Sequence, residues 1–211
     1  MTVGHTVSPE HLPEEAKGLV FDLDGTVLDT MAHHWAAWRQ LSQEFGFELT
    51  VAKLLALAGK PSTAIMELLC EEQGITTIDI PKAVQRKTEL YVELAGETTV
   101  VECVMEIARA GKARGLPVAI ATGGSRPQVT KALTAVGLLE GFFDAIVTCN
   151  DVTHGKPHPE TFLRAAELIG VEPQHCVGYE DAPLGMQAIK AAGFLQAVDV
   201  TLLPAYPKLI E

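Results

Sequence analysis

Short apolar runs alternate along most of this chain with longer stretches whose apolar residues recur three and four positions apart. The runs at residues 19–22, 118–122, 145–148, 176–179 and 197–200 have the length and turn-residue borders of buried strands. Between them, residues 100–114, 126–136, 159–169 and 183–192 carry helical periodicity. Gly115, Gly137, Gly170 and Gly193 each stand just past one of these helices, where a left-handed cap is wanted. Strand followed by helix, several times over, predicts an α/β fold: a parallel sheet covered by helices on both faces. Residues 31–96 break this rhythm, with helical patterns at 31–45, 51–57, 62–73 and 80–94 and no convincing strand. The simplest account is a core built from residues 17–30 and 97–211, with a helical insertion at 31–96. Residues 1–16 mix Pro, Glu, His and Thr without periodicity and read as a loosely held tail.

Composition narrows the partners. A chain of 211 residues can bury one full core or a core with an insertion. Its net charge of −11 argues against nucleic acid or an anionic membrane as the main partner. A small anionic substrate is still allowed, because a local cation can outweigh the distant field. The four cysteines, Cys70, Cys103, Cys149 and Cys176, form no Cys-x-x-Cys pair and read as buried free thiols. No segment is long or apolar enough to span a bilayer, and the N-terminus lacks a basic-then-apolar signal. A soluble, cytoplasmic protein is expected.

The candidate chemistry lies where the strands end, which is where ligands bind in open α/β sheets. The first strand runs into Asp22-Leu23-Asp24-Gly25-Thr26, two carboxylates before a glycine turn. Like charges that close need a proton or a cation between them, and such a pair suits phosphoryl transfer: one attacks, the other handles the proton. A calcium loop would need further oxygen ligands and a late Glu, where this chain is apolar and then helical. After the second strand, Thr122-Gly123-Gly124-Ser125 offers a hydroxyl and unhindered amides to a phosphate. Lys156 lies in a loop stiffened by Pro157 and Pro159, placing an ammonium beside a phosphoryl group. His154 and His158 flank it and read as loop histidines, since the prolines forbid helical pairing. The fourth strand ends in Glu180-Asp181, which are hard oxygen ligands for Mg²⁺ or, for one of them, a helix cap.

The order and spacing of these four motifs resemble the haloacid dehalogenase superfamily, from Gly18 to Val200. The helical insertion is similar to the cap of its β-phosphoglucomutase-like branch. Bacterial sugar phosphatases acting on fructose 1-phosphate or 6-phosphogluconate share the patterns seen here at 156–162 and 180–188. The resemblance implies a Rossmann-like, doubly wound core with an inserted helical cap, and Mg²⁺ as cofactor. It implies that Asp22 is the nucleophile and Asp24 the acid/base, and that Thr122, Gly123, Gly124 and Lys156 hold the phosphoryl. Mg²⁺ would be held by Asp22, Asp181 and the Asp24 carbonyl, with Glu180 a ligand or one shell further out. Dehalogenases of the superfamily generally lack the second aspartate, and an ester's leaving alkoxide needs a proton, so Asp24 favours phosphate esters.

In the cap, His34 and Lys87 match family-like positions, and Ser62 stands where the mutase has an arginine for a second phosphate. A hydroxyl does not replace a guanidinium there, although Lys60 stands near. The resulting expectation is a Mg²⁺-dependent phosphatase acting on a small sugar phosphate or phosphorylated sugar acid through an aspartyl phosphate, with a β-phosphoglucomutase as the alternative and a non-catalytic binding protein as a third reading. His34 either meets substrate and gates the cap or covers a helix face. Trp35 and Trp38 read as cap-core aromatics, and Arg126 reaches substrate or pairs with a surface acid. A monomer is expected, because the cap must move.

Overall fold

The computed structural model describes Ser8, residues 10–94 and residues 98–207. Five strands, β1 (Gly18–Phe21), β2 (Val118–Ala121), β3 (Ala145–Val147), β4 (Cys176–Glu180) and β5 (Gln196–Asp199), form one sheet in the order β3-β2-β1-β4-β5. All four pairings are parallel. Alternate residues supply the two faces, as strand geometry demands. Leu19, Phe21, Val118 and Ile120 pack with Met105 and Ile107 of α5 (Glu102–Ala113) and Leu133 of α6 (Arg126–Ala135). Val20, Ala119 and Ala121 face the other way, onto Phe162 of α7 (Glu160–Leu168) and Ile189 of α8 (Pro183–Ala191). The core is therefore the doubly wound α/β arrangement that the alternation predicts. Gly115, Gly137, Gly170 and Gly193 all adopt positive φ at the helix ends.

Helices α1 (Met31–Phe45), α2 (Val51–Leu57), α3 (Ser62–Gln73) and α4 (Ile80–Leu94) gather around an apolar cluster of their own, which includes Trp38, Leu41, Met66 and Leu90. Two chain segments join this cap to the sheet and run side by side. Val101 donates its amide to Val27 O at 2.9 Å, and Asp29 to Thr99 O at 3.0 Å. The expected junction at residues 96 and 97 lies outside the described residues, as do residues 1–7 and 9 of the expected tail.

The remainder of that tail departs from expectation: it is held. Leu12 and Ala16 are buried in the main core. The Arg114 guanidinium donates to the carbonyl oxygens of Leu12, Pro13 and Glu14, and the Tyr179 hydroxyl donates to that of His11 at 2.7 Å. These anchors come from residues about a hundred or more positions away, so no local pattern announces them. Boundaries also move slightly: β4 runs on through Glu180, β5 begins at Gln196 and α5 begins at Glu102. All four thiols are free, but only Cys70 and Cys176 are buried. No helix among the described residues is long and apolar enough to cross a membrane.

Candidate active site

The sheet order places β1 between β2 and β4, so residues leaving these three strands meet at one edge. Asp22 follows β1 and donates its amide to Tyr179 O at 2.9 Å, which fixes it against β4. Glu180 ends β4, and Asp181 follows it. Lys156 enters from the loop after β3 with its side chain fully buried. Its ammonium donates to Asp22 Oδ1 at 2.5 Å and to Glu180 Oε2 at 2.6 Å. The other Glu180 oxygen accepts the Ala182 amide at 3.1 Å, and Asp181 Oδ1 accepts the Thr26 hydroxyl at 2.9 Å. Gly25 sits at φ +86°, and a Cβ there would drive into the Asp181 carboxylate. A Cβ on Gly185 would collide in the same way with Glu180. The helix-cap reading of the acidic pair fails, because Ala182 occupies the cap position of α8 and no side chain caps it.

One ammonium thus faces three carboxylates whose oxygens lie within 4.8 Å of one another. Burial holds Asp22 well above the usual carboxylate range; repulsion from Glu180 adds to this and Lys156 opposes it. Burial raises Glu180 to about 7 against the pull of Lys156, with Asp181 adding repulsion. Asp181 also reaches about 7, through burial and then the neighbouring Asp22. Lys156 is raised despite its burial, because both partners favour the charged form. Hard oxygen donors with surplus negative charge fit a divalent ion such as Mg²⁺.

Asp24 has different neighbours. Its Oδ1 accepts from the Thr30 hydroxyl at 2.7 Å and lies 3.2 Å from His34 Nε2. His34 Nδ1 lies 2.9 Å from Lys87 Nζ. An ammonium only donates, so Nδ1 accepts and Nε2 carries the hydrogen towards Asp24. Lys87 is buried, with its charge 5.2 Å from the centre of the Tyr91 ring and 5.8 Å from that of Trp38. Burial pulls Lys87 down to about 8. His34 is lowered by burial and by the Lys87 charge. For Asp24, burial alone would raise the pKa, but His34, Thr30 and Lys87 outweigh it and bring it to about 2.

Members of both groups line a cavity of about 490 Å³. Asp22, Asp24, Thr122, Gly123 and Gly124 line it from the core, with Glu180 and Asp181. His34, Lys60, Ser62 and Lys87 line it from the cap, between apolar walls that include Leu54 and Ile65. Trp38 belongs to the cap core, as expected, and also reaches the cavity wall. The Thr122 hydroxyl accepts the Gly124 amide at 3.0 Å. A Cβ on Gly123 would lie 2.8 Å from Gly59 O, so the cap is seated on the loop that follows β2.

Arg126 is not among the residues brought together. It pairs with Asp151, donates to Ile146 O at 3.3 Å and does not line the cavity. The surface-acid alternative therefore describes it. Sequence reasoning assigned no roles to Thr26, which closes the first motif two residues after Asp24, or to Thr30, which stands one residue before α1. It also missed Tyr206, whose hydroxyl donates to Gly25 O at 2.5 Å. Nothing local to Tyr206 signals a contact with a turn 181 positions away.

The sequence matches the haloacid dehalogenase-like hydrolase family over residues 16–193. It is 38% identical over 192 residues to the fructose-1-phosphate phosphatase YqaB of Escherichia coli K12, spanning 90% of this chain and 99% of that protein. Hexitol phosphatase A of the same organism is 35% identical over 179 residues, which is 84% of this chain and 80% of the relative. The β-phosphoglucomutase structure from Clostridium difficile matches with a TM-score of 0.75 over 86% of this chain and 83% of that one. At 24% identity this last likeness is one of fold.

Proposed function

Since the chain belongs to the haloacid dehalogenase-like hydrolase family and is a phosphoric monoester hydrolase, we propose that it hydrolyses a small sugar phosphate through an aspartyl phosphate on Asp22, with Mg²⁺ bound. The observation that carries this reading is the opposite setting of two aspartates on one cavity: Asp22 against Lys156 and two acids, Asp24 against His34. Asp22, Asp181 and the Asp24 carbonyl would hold Mg²⁺, with Glu180 beside them. The ion supplies positive charge that lets the clustered acids ionise together and offsets the substrate's phosphate.

In the first step an Asp22 carboxylate oxygen bonds to phosphorus, and the ester P–O bond breaks. Asp24 gives the leaving alkoxide a proton. Asp24 rests as the anion, so that proton reaches it along the Lys87–His34 line, Nζ to Nδ1 and then Nε2 to Oδ1. In the second step Asp24 takes a proton from water, whose oxygen bonds to phosphorus. The P–O bond to Asp22 then breaks, releasing inorganic phosphate and restoring the carboxylate. Lys156, Thr122 and the Gly123 amide steady the phosphoryl oxygens throughout.

The sugar phosphate class follows from the names of the relatives, which act on fructose 1-phosphate and hexitol phosphates. No arginine lines the cavity among the described residues, which weakens the case for a second phosphate site of the kind a mutase needs. The test is phosphate release from a panel with Mg²⁺: fructose 1-phosphate, hexitol phosphates, 6-phosphogluconate and β-glucose 1-phosphate. Release abolished by EDTA and by Asp22→Asn is the expected result. Conversion of β-glucose 1-phosphate to glucose 6-phosphate without release would replace this reading with the mutase.

A further inference from the structure

The loop between β3 and α7 buries Lys156 and, with the first residue of α7, brings together two exposed histidines and a half-buried glutamate that the reaction does not use. His154, His158 and Glu160 each offer a ligand atom within 4.8 Å of the others. Glu160 Oε2 lies 2.9 Å from His154 Nδ1 and 3.8 Å from His158 Nδ1, and the two rings are 4.6 Å apart. The prolines that exclude a helix here fold the loop back, so residues four and six positions apart converge without one.

We propose that His154, His158 and Glu160 form a second metal site, for a first-row divalent transition ion such as Zn²⁺. The donor set argues for this class: two imidazoles and one carboxylate suit Zn²⁺, Co²⁺, Ni²⁺ or Cu²⁺, whereas Mg²⁺ prefers oxygen alone. The spacing agrees. Bonds of about 2.0–2.1 Å at a tetrahedral ion separate ligand atoms by about 3.3 Å, between the two distances observed. The carboxylate is also aimed in advance: Glu160 Oε1 accepts the Thr153 amide at 2.8 Å, and Oε2 accepts the His154 amide at 2.9 Å. The ion replaces the hydrogen between His154 Nδ1 and Glu160 Oε2, which passes to water, and displaces the Glu160 amide that donates to His158 Nδ1 at 3.3 Å. Water completes the coordination, because the two imidazoles are half or more exposed. Occupancy closes a ring across residues 154–160 and stiffens the segment that holds Lys156.

The experiment uses tag-free full-length protein in excess Mg²⁺, titrated with Zn²⁺ calorimetrically and with Cu²⁺ by electron paramagnetic resonance. One ion is expected to bind, with nitrogen couplings in the copper spectrum and a higher Tm with Zn²⁺. His154→Ala and His158→Ala each weaken binding at least about tenfold and remove the couplings of one imidazole nitrogen, and the double variant removes both. Both variants retain phosphate-releasing activity without Zn²⁺, which shows that they fold. Asp181→Asn, at the oxygen site, leaves the Zn²⁺ event in place. Binding unchanged in the double histidine variant, binding lost only in Asp181→Asn, or no binding at all would each overturn the assignment. None of these outcomes depends on which phosphate ester is cleaved.

Discussion

On the core side of the cavity Asp22 and Glu180 share the ammonium of Lys156, with Asp181 crowded beside them; on the cap side the ammonium of Lys87 reaches one carboxylate, Asp24, through His34. Burial acts on both groups, but the balance of charge differs. The core side has surplus negative charge, so Asp22, Glu180 and Asp181 hold protons more tightly than ordinary acids. On the cap side burial pulls Lys87 down to about 8, while His34, Thr30 and Lys87 together outweigh burial and bring Asp24 to about 2. Two aspartates separated by one residue are therefore driven in opposite directions by their different neighbours.

Removing the cation from the core side is the most damaging way to break this contrast. Lys156→Met leaves Asp22 and Glu180 buried without their partner. A loss of about 3–5 kcal/mol in urea unfolding is expected, with phosphate release largely abolished. The conservative Lys156→Arg would test the shape of the buried slot rather than its charge.

Bound as proposed, Mg²⁺ would compete with protons on the core side, with a sign set by the raised values. Folded Glu180 and Asp181 keep protons up to about pH 7 that the unfolded chain releases near its ordinary carboxylate values. Stability of the metal-free protein therefore falls as pH rises through that window. Mg²⁺ takes the place of those protons, so its stabilising effect grows from pH 5 to pH 8. At about a hundredfold excess over Kd, thermal unfolding at pH 8 should shift upward by about 5–10 °C. An equal shift at pH 5 would mean that the ion binds elsewhere.

The cap side sharpens the contrast from the alkaline side. Lys87 loses its proton above about pH 8, and the line to Asp24 loses its donor. The kcat/KM profile should fall above that pH. Lys87→Met should lower kcat about 10²-fold and flatten that limb. A steep limb that survives the substitution would assign it to another group. The smallest effect belongs to Arg126→Ala, which removes an exposed ion pair outside the cavity. Stability should stay within about 0.5 kcal/mol and activity should be nearly unchanged.

The strands, the four cap helices and the order of the motifs were legible because each depends on short-range pattern: apolar periodicity, turn glycines, carboxylates at strand ends. The convergence of Asp22, Lys156 and Glu180 on one another follows once the strands lie parallel, since all three leave the sheet at the same edge. Tertiary structure decided matters that depend on distances between remote residues. It turned Arg126 towards Asp151, strapped residues 10–16 to Arg114 and Tyr179, and set Tyr206 on the Gly25 turn. It also set the proton affinities of Asp22 and Asp24. A carboxylate's identity is written in the chain, but its charge depends on burial and on neighbours that only the folded packing assembles.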